Sequence, residues 1–137
     1  MLSAMERTVR LAIPARPEFV CVVRHALEGL VRPRGLPPET LADIKLAVTE
    51  ACANAVDHAY GGAGGTIDVV LELSADRIAF EIVDTGMGFA PGPRVAGETG
   101  ESGFGLTIVR ALADELEIGS RDDGGGSRLR FVKLLPA

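Results

Sequence analysis

The pattern of apolar and polar positions in the first half of the chain predicts one strand and two helices. Apolar residues alternate with polar ones over residues 9–13, which is the period of a strand. After two prolines, apolar residues recur at helical spacing over residues 19–30. A turn-rich stretch follows, and a longer helix can begin at Pro38 and end at the pair Gly61 and Gly62.

The pattern in the second half predicts a β-hairpin, a long loop, one more helix and two closing strands. Strand periods occupy residues 67–73 and 78–82, on either side of a short polar turn. The stretch from Asp84 to Gly105 is rich in Gly and Pro and too long for an ordinary connection, so we predict that it is functional or mobile. Residues 106–116 then have a helical pattern, residues 117–120 an extended one, and residues 128–134 that of a final strand.

The resulting order of elements is strand, helix, helix, two strands, helix and two strands. Because strands and helices do not alternate regularly, this order favours a largely antiparallel sheet over a doubly wound parallel one. We predict an α/β two-layer sandwich, in which a mixed, mostly antiparallel sheet is covered on one face by one layer of helices. No repeat or linker divides the chain, so residues 1–137 are expected to form a single domain.

Composition is that of a compact soluble domain, because 47% of the 137 residues are apolar and the mean hydropathy is +0.24. The chain has no apolar run long enough to span a membrane and no signal-peptide pattern at its start, so a cytoplasmic location is expected. Cys21 and Cys52 lie far apart in sequence on apparently apolar faces, which predicts reduced, buried thiols.

The net charge of -5 argues against a general nucleic-acid binder, and few aromatic residues are available to stack on bases. A typical P-loop is excluded as well, because the only two lysines, Lys45 and Lys133, do not follow a glycine in the required pattern. A nucleotide that binds this chain therefore binds in some other way.

The predicted second helix carries a polar stripe. At about 100° per residue, one side of this helix holds Asp43, Ala47, Glu50, Asn54, Asp57 and His58. Such a stripe usually marks only contact with solvent. However, a solvated face normally carries Lys, Glu, Arg and Gln, whereas this one carries small residues and an asparagine, which has poor helix propensity. Solvent contact and a ligand site both remain open at this point.

Two glycine motifs lie further along the chain. The first, Asp84-Thr85-Gly86-Met87-Gly88, directly follows a strand and could bring backbone close to a flat ligand while the carboxylate accepts a hydrogen bond from an amino group. The second, Gly100-Glu101-Ser102-Gly103-Phe104-Gly105-Leu106, runs into a helix start, where free N–H groups favour a phosphate. An ordinary turn and a flexible loop capped at Ser102 are the respective alternatives. A dinucleotide-binding loop is excluded, because Ile108 stands where its third glycine should be.

In this order, Glu-x-x-x-Asn on a helix, Asp-x-Gly-x-Gly after a hairpin and Gly-x-Gly-Leu at a helix start resemble the ATP-binding domain of the GHKL (histidine-kinase-like) ATPase superfamily. The resemblance covers nearly the whole chain. Within the superfamily, Thr-Glu-Ala-x-x-Asn-Ala from Thr49 and Ser-Gly-Phe-Gly-Leu-x-Ile-Val from Ser102 are similar to the bacterial anti-sigma-factor serine/threonine protein kinases. That family implies the histidine-kinase-like fold and ATP-dependent phosphorylation of a serine in an antagonist protein, as part of a partner-switching circuit that regulates transcription.

The resemblance also implies roles for individual residues. Asn54 would give its side-chain oxygen to a Mg²⁺ ion that bridges the ATP phosphates, and Glu50 would be the general base toward the serine hydroxyl of a protein substrate. Asp84 would receive the adenine amino group. The further nucleotide contacts that it implies are Gly86, Gly88, Gly103, Phe104, Gly105, Leu106, Ser127 and His58.

The implied partners are a sigma factor, an antagonist protein and a second copy of the chain in a homodimer, with no direct contact to nucleic acid or membrane. One departure concerns catalysis: Glu101 stands before the lid glycines, where some kinases of the family carry an arginine, and an acidic residue there repels phosphate.

Because Glu50 stands in the position of the general base, a protein kinase is the leading hypothesis. A catalytically weak or inactive nucleotide-binding module of the same fold is the second. A structural or interaction domain without nucleotide is the third, and it requires all three motifs to be coincidental.

Overall fold

The computed structural model describes residues 6–60, 65–84, 100–120 and 127–136. Its elements, in chain order, are β1 (Arg7–Pro14), α1 (Val20–Val31), α2 (Pro38–Tyr60), β2 (Thr66–Leu73), β3 (Arg77–Asp84), α3 (Gly100–Leu112), β4 (Glu115–Ser120) and β5 (Ser127–Leu134), with short 3-10 turns at Pro17–Phe19 and Arg32–Arg34. The predicted order of strands and helices is confirmed.

The five strands form one sheet in the order β1-β2-β3-β5-β4. Each of the four pairings that the structure describes is antiparallel. β2 and β3 form the predicted hairpin, and β4 and β5 form a second hairpin, in which β4 lies at an edge of the sheet. The prediction of a mostly antiparallel sheet is confirmed.

The helices lie together on one face of this sheet. α1 contacts β1 and β2, α2 contacts β2, β3 and β5, and α3 packs against α2. The opposite face carries charged pairs between strands: Arg128 on β5 pairs with Glu81 on the neighbouring β3, and Arg130 on β5 reaches across β3 to Glu72 on β2 at 3.3 Å. This is the predicted two-layer sandwich. Within the described ranges, no helix is long and apolar enough to cross a membrane.

The core lies between the sheet and the helices. Alternate residues of the central strands point into it, namely Ile67, Val69, Leu71, Leu73, Ile78, Phe80, Ile82, Leu129 and Phe131. Cys52 is buried there as predicted, and burial raises the pKa of its thiol to about 12. The prediction is wrong for Cys21, which is only half-buried because it lies at the edge of α1, in the second residue of that helix.

The polar stripe predicted on α2 is narrower than its helical spacing indicates. Ala47 lies within the predicted stripe but is fully buried, as are Val48 and Cys52 on the predicted apolar side. The reason is that α2 is enclosed on several sides, by α1, by α3 and by the sheet. Small side chains such as Ala47 and Ala51 let these elements approach the helix closely. The abundance of alanine in α2 is thus explained by packing.

The boundaries of α3 differ from the prediction at both ends. The helix begins at Gly100, six residues before the predicted start at Leu106, so part of the predicted Gly-rich loop is helical; residues 85–99 of that loop lie outside the described part. It ends at Leu112, and β4 begins at Glu115. The early end follows from Asp114, whose backbone N–H donates to the carbonyl of Val132 on β5 at 2.8 Å and so starts the strand.

Candidate functional site

Asn54 is the most unusual polar residue of α2. It lies near the middle of the C-terminal half of the helix and is half-buried. Its Oδ1 atom is buried and has no hydrogen-bond partner among the residues that the structure describes. A buried acceptor left without a partner costs about 1–3 kcal/mol, so such atoms usually serve a ligand, an ion or an ordered water. The structure therefore gives Asn54 the character of a binding residue.

Glu50 lies one helical turn before Asn54 and shares its face of α2. Its side chain is half-buried, and it has no ion pair within the described ranges. The carboxylate is therefore available to act on a group that approaches this face. Asp57, also on the predicted stripe, is exposed, whereas Asp43 is half-buried.

Asp84 is the last residue of β3 and is the buried charged side chain of the described core, at 1% exposure. It pairs with Ile67 at the start of β2. Ser127 begins β5, whose next residue, Arg128, pairs with Val83. Asp84 and Ser127 consequently lie at the same end of two neighbouring strands. The structure thus brings together the two residues predicted to lie near the adenine.

The sheet and α2 are joined at this same end. Residues 61–65 connect the last residue of α2, Tyr60, to Thr66, and Thr66 precedes the residue that pairs with Asp84. α2 also packs against β3. The helix face of Glu50 and Asn54 and the strand end at Asp84 therefore belong to one packed unit.

Other predicted site residues are described only in part or not at all. Gly86 and Gly88 lie outside the described residues. The backbone of α3 includes Gly103, Phe104 and Gly105, and that of α2 includes His58. The side chains of Phe104 and His58 lie outside the described part.

Leu106 is half-buried and packs against the core from α3. Its contacts are with apolar side chains. The structure thus gives this predicted nucleotide contact a packing role.

A groove lies beside the stripe and was not predicted from the sequence. It has a volume of about 420 Å³ and runs between the first turns of α1 and the C-terminal half of α2. Its lining residues are Pro17, Glu18, Val20, Cys21, Arg24, Thr49, Ala53, Val56 and Asp57. Thr49 and Ala53 are the chain neighbours of Glu50 and Asn54, so the groove borders their helix face. The only sequence signal for it is the small residue Ala53 on an exposed part of the helix.

A second cleft, of about 490 Å³, lies on the other face of the sheet, between the start of β1 and the turn that joins β2 to β3. Arg130 and Glu72, which pair with each other at 3.3 Å, form part of its lining. None of the predicted site residues lines this cleft, so it is separate from the candidate site.

The donor set at the candidate site fits a magnesium ion that is held mainly by phosphates. Within the described residues, no three His, Cys, Asp or Glu side chains come together as a metal site. Asn54 Oδ1, however, is a hard oxygen atom that is buried and lacks a described partner. Mg²⁺ prefers such oxygen ligands and commonly takes only one or two from the protein, with phosphates and waters completing the shell.

The histidine kinase-like ATPase domain family matches residues 13–133 of the chain. Curated relatives include the serine-protein kinase RsbW of Halalkalibacterium halodurans, which is 34% identical over 129 residues, covering 86% of this chain and 78% of the relative. The serine-protein kinase RsbW of Bacillus pumilus is 35% identical over 124 residues, covering 80% of this chain and 76% of the relative.

A solved structure has a similar fold. The crystal structure of the RsbU and RsbW domains of Rv1364c from Mycobacterium tuberculosis superimposes on 96% of this chain with a TM-score of 0.70. The sequence identity is 21%, and the chain spans 33% of that longer protein. This likeness concerns the fold and agrees with the layered arrangement described above.

Proposed function

The chain belongs to the histidine kinase-like ATPase domain family, and we propose that it is an ATP-dependent protein serine kinase that acts as an anti-sigma factor. The relatives named as serine-protein kinases support transfer of a phosphoryl group over binding alone. The single observation that carries the proposal is the buried Oδ1 atom of Asn54, which has no partner among the described residues and lies one turn from the half-buried Glu50.

Asn54 is proposed to bind the magnesium ion of Mg-ATP through Oδ1. When bound, the ion offsets the negative charge of the phosphates. Asp84, at the end of β3, is proposed to accept a hydrogen bond from the adenine amino group. The glycine motifs at Gly86 and Gly88 and at Gly103 and Gly105 are proposed to approach the base and the phosphates, with Phe104, Leu106, Ser127 and His58 as further neighbours of the nucleotide.

Glu50 is proposed as the general base. Its carboxylate accepts the proton of a substrate serine hydroxyl while the serine oxygen forms a bond to the γ-phosphorus of ATP. The bond between that phosphorus and the bridging oxygen of ADP breaks, so the products are ADP and a phosphoserine. The half-buried position of Glu50 suits this role, because a carboxylate shielded in part from water interacts more strongly with the hydroxyl that it orients.

The groove between α1 and α2 is proposed as the side from which the protein substrate approaches. Its lining includes Thr49, next to Glu50, so a segment lying in the groove places a serine close to the base. The proposed partners are an antagonist protein that carries the serine and a sigma factor, with a homodimer as the working form. We place this activity in the cytoplasm, where ATP and sigma factors are found, and assign it to residues 1–137 as one domain.

Calorimetry with Mg-ATP tests the nucleotide site. The natural protein should bind ATP, Asp84→Asn should lose binding, and Asn54→Ala should bind ATP without dependence on Mg²⁺. Glu39→Gln is the matched control, because Glu39 is exposed in the first turn of the same helix and its replacement should leave binding unchanged. Absence of ATP binding by the natural protein would overturn the proposal.

Transfer is tested separately with radiolabelled ATP and a candidate antagonist protein. Glu50→Gln should bind Mg-ATP normally but lose phosphorylation of the serine, whereas Glu39→Gln, at the exposed start of the same helix and outside the groove, should keep it. Normal ATP binding by a natural protein that phosphorylates no antagonist would leave the second hypothesis, a nucleotide-dependent binding module, in its place. In that outcome Glu101 becomes the first residue to replace by arginine.

A further inference from the structure

Two side-chain hydrogen bonds join the C-terminal end of α3 to β5: one side chain comes from β5, and the other comes from the residues that follow α3. The ammonium group of Lys133 on β5 donates to the carbonyl oxygen of Leu112, the last residue of α3, at 3.1 Å. The carboxylate of Asp114, two residues after the helix, accepts the backbone N–H of Leu134 on β5 at 2.6 Å. We call Leu112, Asp114, Lys133 and Leu134 the α3–β5 clamp.

Each bond of the α3–β5 clamp supplies a partner to a backbone group that would otherwise lack one. The carbonyl of Leu112 is one of the last of α3, and these carbonyls accept no hydrogen bond within the helix. A cation near them is favourable because the C-terminal end of a helix carries partial negative charge. Leu134 lies beyond the end of β4, whose first residue, Glu115, pairs with Val132. β4 therefore offers no backbone acceptor to the N–H of Leu134, and the carboxylate of Asp114 accepts that hydrogen bond instead. Lys133 and Asp114 thus each satisfy a backbone group of the fold in addition to carrying a charge.

The N-terminal half of α3 depends on its C-terminal half. Gly100, Gly103 and Gly105 lie in the first two turns, and each glycine in a helix costs about 1 kcal/mol relative to alanine. The described apolar contacts of α3 begin at Leu106 and continue along the C-terminal half, where Val109 is fully buried and Leu112 packs against the core. Because helix formation is cooperative, the glycine-bearing turns stay helical only while the anchored half holds its place.

We infer that Asp114 and Lys133 are positioning residues of the nucleotide site: by fixing the end of α3, they hold its glycine-bearing turns in the geometry that ATP requires. The inference rests on the proposed function, which places Gly103 and Gly105 beside the phosphates. Asp114 and Lys133 act through the helix, and neither contacts the nucleotide. Loss of either bond leaves the sheet and α2 in place but lets the far end of α3 open more often.

The test compares variants that break the α3–β5 clamp with variants that retain it. Asp114→Ala and Lys133→Met remove the acceptor and the donor, whereas Asp114→Asn and Lys133→Arg keep them. Arg34→Ala is the matched control, because Arg34 also donates to backbone carbonyls, those of Ala75 and Pro136, and to none in the described part of α3. Mg-ATP affinity is measured by calorimetry at a temperature where urea titration shows every variant to be fully folded.

Asp114→Ala and Lys133→Met should each weaken Mg-ATP binding by roughly tenfold, which is about 1.4 kcal/mol of binding free energy. Asp114→Asn, Lys133→Arg and Arg34→Ala should bind within about twofold of the natural protein, although Arg34→Ala loses stability. Equal weakening in Arg34→Ala, or natural affinity in Asp114→Ala, would overturn the inference, since the α3–β5 clamp would then contribute only to the stability of the fold.

Hydrogen exchange without nucleotide separates this inference from the proposed function. Asp114→Ala should speed amide exchange in the first two turns of α3 and leave α1 unchanged, whether or not the natural protein binds ATP. Faster exchange together with no ATP binding by the natural protein would overturn the proposed function and, with it, the assignment of Asp114 and Lys133 to a nucleotide site. Unchanged exchange in α3 would overturn the inference alone.

Discussion

Phe80 on β3 and Phe131 on β5 stack face to face, with their ring centroids 4.5 Å apart and their planes 10° from parallel. They are direct partners in the antiparallel ladder, and both are fully buried. Since α2 packs on β3 and β5, the pair lies under the helix that carries Glu50 and Asn54. The stack therefore belongs to the support of the candidate site.

Replacing Phe131 by alanine should lower the free energy of unfolding by about 3–5 kcal/mol, because it removes a large buried side chain and leaves a cavity beside Phe80. Leu134→Ala is the control, since Leu134 is 56% exposed on the same strand and should change stability by less than about 0.5 kcal/mol. Urea titration measures both. If the two variants lowered the free energy of unfolding by similar amounts, the stacked pair would contribute no more to stability than an exposed residue of the same strand.

Lys45 on α2 pairs with Glu28 on α1, and His25 lies 3.4 Å from the same carboxylate. The hydrogen bond from Lys45 holds the pKa of Glu28 below the ordinary value of 4.5. A carboxyl group whose pKa is lower in the folded chain binds fewer protons there than in the unfolded chain. The pair therefore stabilises the fold above that ordinary value, and its contribution is lost as the pH falls through the lower, folded-state pKa.

Thermal unfolding of Glu28→Gln between neutral pH and pH 3, roughly the range of carboxyl titration, tests this sign. The variant should melt below the natural protein at neutral pH, and the two melting curves should converge as the solution becomes more acidic than the ordinary pKa of Glu28. Glu115→Gln on the exposed edge strand β4 is the control, because it removes a carboxylate that is not part of this pair. A constant difference between Glu28→Gln and the natural protein at all pH values would contradict the prediction.

Periodicity predicts the strands and α1, because their burial patterns are set by contacts with one neighbouring layer, and the signals at Pro38 and at Gly61 and Gly62 predict the bounds of α2. It fails at the end of α3, since Asp114 leaves the helix for bonds to Val132 and Leu134, which are distant in sequence. It also fails at Ala47, which is buried because helices enclose α2 on two sides. Local spacing carries no information about either contact.

The candidate site, too, can be predicted from the sequence only in part. The odd composition of the α2 stripe is enough to single out Glu50 and Asn54 from the sequence, because asparagine is a poor choice for a solvated helix. The groove beside them depends on how α1 packs against α2, and no motif in the sequence records that packing. The buried state of Asp84 likewise follows from its place at the end of a central strand.

The guanidinium group of Arg34 joins two distant parts of the chain. It donates to the carbonyl oxygen of Ala75, in the turn between β2 and β3, at 3.1 Å and to that of Pro136, after β5, at 3.2 Å. Arg34→Ala should lower the free energy of unfolding by about 1–2 kcal/mol, as each hydrogen bond contributes about 0.5–1.5 kcal/mol. Arg32→Ala, on the exposed side of the same turn, is the control and should be nearly neutral. Equal effects in urea titration would show that these bonds do not stabilise the fold.

Asn54 gives the prediction that most directly separates binding from stability. Without nucleotide, its buried Oδ1 has no described partner and its helix propensity is poor, so Asn54→Ala should stabilise the fold by about 0.5–1 kcal/mol. With Mg-ATP at about 100 times the dissociation constant, the natural protein should gain about 2.7 kcal/mol while the variant gains less. The order of the two melting temperatures should therefore reverse when Mg-ATP is added. A variant that melts below the natural protein in both conditions would show that Asn54 supports the fold and that its oxygen is satisfied without a ligand.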